Sequence, residues 1–375
     1  MKIALVIPSL RRGGAERVMV GLANEMSARR HEVHLATFES EIDPDGYALH
    51  PKVSVTRLGG LSASANPISG LFANLGRVRK LRRWLRANRP EVCISFMTQT
   101  NVCALLAAKG IAPVIVSERL VPWAMPERRI WESLRRKTYG TAASLVLQST
   151  AVEQWAKQNW PNLRTRVIPN PAPEVQNFEG KREMTVISVG RLSHEKGHDL
   201  LLRAWPAVQE LFPEWKLQIV GDGPNREEWE HLAGRLNIRH STTFLGQSSL
   251  VMEQIARASI FVLPSRTEGF PNVILEAMAV GTPVVAADCP VGPGEIIESG
   301  ETGILVAPED PVALANALIS LIPDPDRQSE LALEAQRRLS KFERSVIMDQ
   351  WELEIQRACG TPHFAAAVEP SGVVR

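Results

Sequence analysis

Four cysteines in 375 residues, Cys93, Cys103, Cys289 and Cys359, stand far apart and form no C-x-x-C pair. That excludes a disulfide framework and a cysteine zinc site, and fits a reducing cytosol. No apolar run approaches the roughly 20 residues needed to cross a bilayer. The first one, residues 2–8, is too short and too soon followed by Arg11 and Arg12 for a signal peptide, so a cytoplasmic location is expected. A dominant charge is also missing: the net charge of +2 makes the whole molecule no polyanion binder. The dinucleotide fingerprint G-x-G-x-x-G is absent, since Gly13-Gly14 is a plain pair and Arg226 takes the third glycine's place after Gly221-Asp222-Gly223. There is no internal repeat. Asp43-Pro44-Asp45 and Asp324-Pro325-Asp326 read as proline-bearing turns, so neither a metal nor a cofactor is expected.

What is present is a soluble enzyme's composition, 44% hydrophobic and 22% charged, in a chain too long for one simple core. Short apolar runs alternate with amphipathic stretches. Strands are expected near 2–8, 31–37, 53–58, 91–96, 113–118, 144–149 and 164–169, with helices at 14–29, 70–88, 100–110, 126–139 and 150–160. Pro169-Asn170-Pro171-Ala172-Pro173 breaks regular structure, and the alternation then restarts with strands near 185–190, 215–221, 241–246, 260–264, 283–287 and 303–306. The expected organisation is a Rossmann-like domain over 1–170, a linker over 171–184 and a second Rossmann-like domain over 185–326. A long helical pattern over 327–358, one helix or more and able to cross back to the first domain, carries Leu331, Leu339, Phe342, Ile347, Trp351 and Ile355, and a disordered tail over 359–375 completes the chain. Two such α/β, doubly wound parallel sheets place a ligand at their strand carboxyl ends, in a cleft between the domains.

The most informative stretch is Arg266-Thr267-Glu268-Gly269-Phe270-Pro271-Asn272-Val273-Ile274-Leu275-Glu276, after the strand-like run Ile260–Pro264. Pro271 suits a helix start, which leaves Glu268 in the loop and Glu276 about a turn and a half into the helix. Gly269 lets backbone approach a ligand, and the N–H groups of Asn272, Val273 and Ile274 are expected to face an anion. Two hydroxyl-binding carboxylates around such a cradle describe a sugar joined to a phosphate. Arg191 and Lys196, in Gly190-Arg191-Leu192-Ser193-His194-Glu195-Lys196-Gly197, read either as solvated surface charges or as two cations neutralising a departing diphosphate. Their place at a strand end favours the second. Gly13-Gly14 lies between the first strand and helix and reads either as a plain βα turn, the commoner meaning of a lone Gly-Gly, or as a turn whose exposed amides suit an anion or acceptor. The turn at Gly221 reads as a lining of the donor cleft.

Together, Gly13-Gly14, Gly190-Arg191-(x4)-Lys196-Gly197, Gly221-x-Gly223 and Glu268-Gly269-Phe270-(x5)-Glu276-Ala277 resemble the large retaining glycosyltransferase family 4, of the GT-B fold, over residues 1 to 357. The resemblance implies a UDP-sugar co-substrate held mainly by the second half, and retention of configuration without a metal. It implies donor contacts at Gly14, Arg191, Lys196, Gly221, Gly269, Phe270, Pro271 and Asn272, with Glu268 on the transferred sugar, Glu276 on the ribose and Leu245-Gly246 backbone at the base. Glu268, Lys196 and Arg191 are then the catalytic candidates. Many relatives place a histidine or aspartate where this chain has Ser95-Phe96-Met97-Thr98-Gln99-Thr100-Asn101, so no side-chain general base is expected there. The expected chemistry passes the acceptor's proton to the leaving phosphate.

Ser117-Glu118-Arg119 resembles a motif of bacterial transferases that extend lipid-linked oligosaccharides, particularly those adding N-acetylgalactosamine. Glu118 and Arg119, with Gly13, are acceptor-side candidates, the alternative being an ion pair of Glu118 with Arg119 or Arg128. Between Arg77 and Arg89 the chain carries seven cations and no acid, with Leu75, Val78, Leu81 and Leu85 on one helical face and Trp84 beside them. That is either a core-packed helix with a solvated basic face, or a surface for an anionic membrane. The basic, tryptophan-bearing stretch from Trp123 to Lys137 favours the membrane. Arg79, Arg82, Arg83 and Arg86 are also candidates for an acceptor's diphosphate. Nucleic acid is not expected, for lack of stacking aromatics on a strand platform. The expected partners are a UDP-sugar, a polyprenyl-diphosphate-linked glycan and the inner face of a plasma membrane. The sugar is a hexose or N-acetylhexosamine. Alternatives are a UDP-sugar 2-epimerase on the same fold and a non-catalytic sugar-nucleotide binder.

Overall fold

A computed structural model describes residues 1–11, 13–40, 47–60, 67–176, 178 and 180–360, with side chains between 67 and 73 outside that set. Asp43-Pro44-Asp45 and the tail beyond Gly360 lie outside the described residues. Among the described residues thirteen strands form: β1 Lys2–Ile7, β2 Glu32–Thr37, β3 Ser54–Arg57, β4 Val92–Phe96, β5 Val114–Ser117, β6 Ser144–Leu147, β7 Thr165–Val167, β8 Glu183–Val189, β9 Lys216–Val220, β10 Thr242–Gly246, β11 Ala258–Leu263, β12 Val284–Ala287 and β13 Ile304–Val306. They make a seven-stranded sheet, β3-β2-β1-β4-β5-β6-β7, and a six-stranded sheet, β10-β9-β8-β11-β12-β13. The pairings are parallel, for instance Leu5 opposite Ile94 and Phe261 opposite Ile187. Helices fill the crossovers, as parallel connections require. The doubly wound α/β fold expected from the alternation is therefore present.

The sequence forms the central strands because their residues are buried on both faces, whereas the edge strands β3, β7, β10 and β13 are partly exposed. Along β8 and β11, neighbours point to opposite sides. Val186, Ile260 and Val262 share one core with Trp205, Leu217 and Trp229. Ile187, Phe261 and Leu263 share the other with Ile274, Met278 and Phe342. Trp205 is fully buried, and truncating it to Ala would cost about 3–5 kcal/mol.

In each sheet the winding direction reverses at one place, between β1 and β4 and between β8 and β11. Such switch points open a crevice at the carboxyl ends, where α/β sheets bind ligands.

By compactness the chain divides into one unit of Met1–Ser117, Leu134–Leu145 and the residues from Met348 on, and a second of Glu118–Ser133 and Val146–Ile347. The helical pattern expected over 327–358 is split into helices Pro325–Arg338 and Arg344–Ala358, separated by a 3-10 turn at Leu339–Phe342. Glu343, with ψ 142, interrupts the helical path. All six apolar residues of that pattern are buried, and in the first unit Trp351 packs 5.8 Å from Phe96. There Arg29 also grips Asp349 and Glu352, each at 2.6 Å. Parts of the expected linker pair with the second unit's backbone: Ala172 N–H donates to Phe342 O and Gln176 N–H to Ala279 O, both at 2.8 Å. No helix among the described residues is long and apolar enough to cross a membrane.

Candidate active site

The second unit's switch point carries the motifs of the sequence. β8 ends at Val189, and Gly190-Arg191 continues past it; β9 ends before Gly221; β11 ends before Pro264 and the Glu268 loop. Two glycines let these three loops touch. Gly221, at φ +135, approaches so closely that a Cβ there would sit 2.0 Å from Gly190 O. Gly197, at φ +65, would place one 2.1 Å from Pro264 O. Either substitution forces backbone apart and strains a left-handed residue.

A side-chain clamp absent from the sequence reading ties the same loops. Arg266 grips Asp199 through both guanidinium nitrogens, at 2.7 and 2.8 Å, and donates to His194 O at 2.9 Å. Burial pushes the Asp199 carboxyl up, but the hydrogen bonds and charge of Arg266 outweigh it and hold the group below its usual range. The available signal was an acid in the first turn of helix His198–Leu211, where the helix dipole favours one.

Inside the clamp, Lys196 Nζ donates to both oxygens of Glu268, at 2.7 and 2.8 Å, and Ser265 Oγ donates to Oε1 at 2.7 Å. Glu268 is 6% exposed, so this compensation is what makes a buried carboxylate tenable. Arg191 stands exposed just past the end of β8, and its guanidinium makes no hydrogen bond among the described residues. His198, packed close to Gly190, is buried 5.4 Å from Trp229, and burial, with the nearby Lys196 charge, pushes its imidazole down to about 3.

The amide cradle differs from expectation. Asn272 N–H donates to Phe270 O at 2.9 Å and Ile274 N–H to Pro271 O at 3.0 Å, so two of the three expected amides are spent on a tight turn. The proline-led turn overlaps the first turn of helix Asn272–Ala279. The Phe270 ring belongs to the core, 6.3 Å from Phe342, while Pro271 is buried and Glu276 is half-buried on the helix. Leu245 is exposed beside Gly246, whose carbonyl accepts from Gly221 N–H at 2.8 Å.

The acceptor candidates Glu118 and Arg119 are buried, 3% and 7% exposed, and count with the second unit. Burial pushes the Arg119 guanidinium down to about 9. Gly269 passes close to this segment; a Cβ there would lie 3.0 Å from Arg119 O. Arg119 Nη1 donates to Asn170 Oδ1 at 3.0 Å, and Asn170 Nδ2 donates to Asn272 Oδ1 at 2.7 Å. Asn170, within the proline segment expected only to break regular structure, is a buried junction.

In the first unit, Gly14 opens helix Gly14–Ala28 and Gly13 caps it. The Glu16 carboxylate folds back over Gly13, where a Cβ would lie 2.3 Å from Oε2, and Gly13 O accepts from Tyr47 Oη at 3.2 Å. Burial, with Glu39 adding to it, raises the Glu16 carboxyl. On helix Pro67–Asn88, Leu81, Trp84 and Leu85 are buried and serve the core, while Leu75, expected on the same face, is 44% exposed. Arg82 donates to the carbonyls of Ala107 and Lys109, at 2.7 and 2.9 Å, at the end of helix Thr98–Ala108. Arg77 donates to Gly60 O at 2.6 Å, whereas Arg79, Arg83 and Arg86 are exposed.

Residues 13–171 match the glycosyl transferase 4-like domain, and residues 172–338 match the family described as glycosyl transferases group 1. A Campylobacter jejuni GalNAc-alpha-(1->4)-GalNAc-alpha-(1->3)-diNAcBac-PP-undecaprenol alpha-1,4-N-acetyl-D-galactosaminyltransferase is 29% identical, covering 94% of this chain and 97% of its own. A second Campylobacter jejuni enzyme, N-acetylgalactosamine-N,N'-diacetylbacillosaminyl-diphospho-undecaprenol 4-alpha-N-acetylgalactosaminyltransferase, is 26% identical over 92% and 96%. Among solved structures, sucrose-phosphate synthase from Thermosynechococcus elongatus superposes with a TM-score of 0.82 at 21% identity, over 96% of this chain and 100% of the other. Anabaena HepE in complex with UDP gives 0.77 at 21%, over 95% and 100%. Those two likenesses carry the fold. With its two sheets, its two switch points and this pair of domains in order, the chain belongs to the GT-B glycosyltransferases, a 4-like domain followed by a group 1 domain.

Proposed function

We propose that this glycosyltransferase moves a hexose or N-acetylhexosamine from a UDP-sugar to a polyprenyl-diphosphate-linked glycan, with retention at the anomeric carbon. The observation that carries the reading is the Lys196–Glu268 pair at the β8–β11 switch point: an ammonium and a buried carboxylate held within one loop system. Lys196 and Arg191 supply two cations for a departing diphosphate, and Glu268 supplies acceptors for sugar hydroxyls. In the proposed step the acceptor oxygen bonds to the anomeric carbon on the face from which the phosphate leaves. The carbon–phosphate-oxygen bond breaks, and the hydroxyl's proton passes to that phosphate oxygen. The cations stabilise charge that develops only in the transition state, which is where stabilisation accelerates a reaction. No protein base and no metal is needed in this scheme.

The acceptor reading is supported by the Campylobacter relatives, whose names specify undecaprenol-linked glycans. Peripheral attachment to an anionic inner membrane face is part of the proposal. Arg79, Arg83 and Arg86 are free to contribute to it, at about 1 kcal/mol per cation near the surface. In the second unit Trp123, Met125 and Ile130 are exposed beside Arg128 and Arg129.

The test mixes purified protein with UDP-N-acetylgalactosamine, UDP-N-acetylglucosamine, UDP-galactose or UDP-glucose and a polyprenyl-diphosphate-linked oligosaccharide. One donor should lengthen the glycan by one sugar, α-linked by NMR. An epimerised nucleotide sugar, a β linkage, or binding without turnover would each reject the reading.

A further inference from the structure

The junction at Asn170 has a direction that fixes the orientation of an amide in the donor site. Asn170 is 3% exposed and meets three side chains of the second unit. Its Oδ1 accepts from Arg119 Nη1 at 3.0 Å and from Gln148 Nε2 at 2.8 Å, while its Nδ2 donates to Asn272 Oδ1 at 2.7 Å. An arginine has only donors. The Asn170 oxygen must therefore face Arg119, its nitrogen must face Asn272, and the Asn272 oxygen must turn inward to accept. These assignments follow without locating a hydrogen. What remains of the Asn272 amide is Nδ2, with no hydrogen bond among the described residues, on a half-buried residue opening helix Asn272–Ala279, four residues after Glu268.

We infer that Asn170 is a positioning residue that fixes the Asn272 amide so that Nδ2 donates to an oxygen of the nucleotide-sugar donor. The inference rests on the donor-site reading above and deepens it. The side chain of Asn272 takes over the recognition for which two of the three loop amides are unavailable. Its partner is an oxygen of the diphosphate or of the sugar. Burial makes the arrangement rigid, because an Asn272 flip would set two donors against each other in a dry junction.

Two variants test this. Asn272→Ala removes the donor. Asn170→Asp keeps an acceptor for Arg119 but offers only oxygen to Asn272, whose amide must then turn Nδ2 inward. Affinity is measured by calorimetry for UDP, ADP, GDP and the UDP-sugar that supports transfer, beside the melting temperature. Each variant should weaken donor binding about tenfold, as expected for one lost hydrogen bond to a polar or charged oxygen. Adding Asn170→Asp to Asn272→Ala should weaken it no further. A loss seen with UDP alone locates the partner oxygen in the diphosphate, and a loss confined to the UDP-sugar locates it in the sugar. Wild-type affinity in Asn272→Ala overturns the inference even if Asn170→Asp fails to fold, and so does a lowered melting temperature without lost affinity in Asn170→Asp. If the wild type prefers ADP or GDP, the uridine reading fails while the same comparison is made on the nucleotide that binds. If the wild type binds none of them, both readings fall.

Discussion

Lys196 holds Glu268 by both carboxylate oxygens, although the two residues are 72 positions apart in the chain. The contact joins the loop after β8 to the loop after β11 and gives each group a second task. Without ligand, the ammonium neutralises a carboxylate that is 6% exposed. With a diphosphate present, the same ammonium has a stronger anion to share. Lys196→Ala should therefore do two separable things. It should lower turnover at least a hundredfold, the scale for losing one preorganised charge-stabilising group. It should also destabilise the second unit by about 1–3 kcal/mol, because Glu268 is left buried without its partner. The double variant Lys196→Met/Glu268→Gln should recover most of the stability and none of the activity. Melting curves beside a transfer assay separate the two; full activity in Lys196→Ala would reject the catalytic assignment.

Glu268 and Glu276 should differ in kind. Glu268 lies in the loop within the Lys196 and Ser265 contacts, whereas Glu276 sits half-buried on helix Asn272–Ala279. Glu268→Ala is expected to lower kcat, and Glu276→Ala to raise the donor KM about tenfold with kcat little changed, the pattern of a contact made equally in ground and transition states. Steady-state kinetics with varied UDP-sugar decides it; equal kcat losses in both would remove the distinction.

These roles show where the sequence was readable. The apolar runs of β1, β8 and β11 announced themselves because parallel strands are buried on both faces, and that period survives without tertiary knowledge. Glu268, Lys196 and the glycines at 197 and 221 were visible because loop chemistry has local spacing. The contacts of Asp199 with Arg266, and of Asn170 with Arg119 and Asn272, were not, since the partners are 51 to 102 positions apart and only the fold decides which polar groups meet. The amides of Asn272 and Ile274 were misread for a related reason. A proline allows a helix start at that point, but the turn it makes consumes donors that an ideal first turn would leave open.

His198 predicts an acid-sensitive site. Its folded value of about 3 lies below the ordinary value of 6.5, so between those limits the unfolded chain binds more protons than the folded one. Stability is thus full above pH 6.5 and lost as pH falls below it, with a slope approaching about 1.4 kcal/mol per pH unit. Among the described residues neither ring nitrogen has a hydrogen-bond partner, so His198→Leu discards no bond. Melting temperatures from pH 7.5 down to 4.5 should fall for the wild type and flatten for His198→Leu; parallel curves would show that the acid sensitivity lies elsewhere.

The basic helix needs different variants from those its sequence suggests. Arg82 and Arg83 look equivalent in Arg77–Arg89, yet Arg82 is occupied by the carbonyls of Ala107 and Lys109. Its reversal would leave the end of helix Thr98–Ala108 without two donors and weaken the fold by about 1–2 kcal/mol. Any loss of membrane binding in Arg82→Glu would therefore be confounded with lost structure. Arg79, Arg83 and Arg86 are exposed, so Arg79→Glu/Arg83→Glu/Arg86→Glu changes charge at little structural cost. In flotation with vesicles of rising anionic lipid content, the triple variant should need a higher anionic fraction to bind, and its melting temperature should stay within a degree or two of wild type, the small change expected of exposed positions. Arg82→Glu should melt lower even without vesicles. Unchanged flotation of the triple variant would assign this face to water, leaving the exposed Trp123, Met125 and Ile130 as the surface to test next.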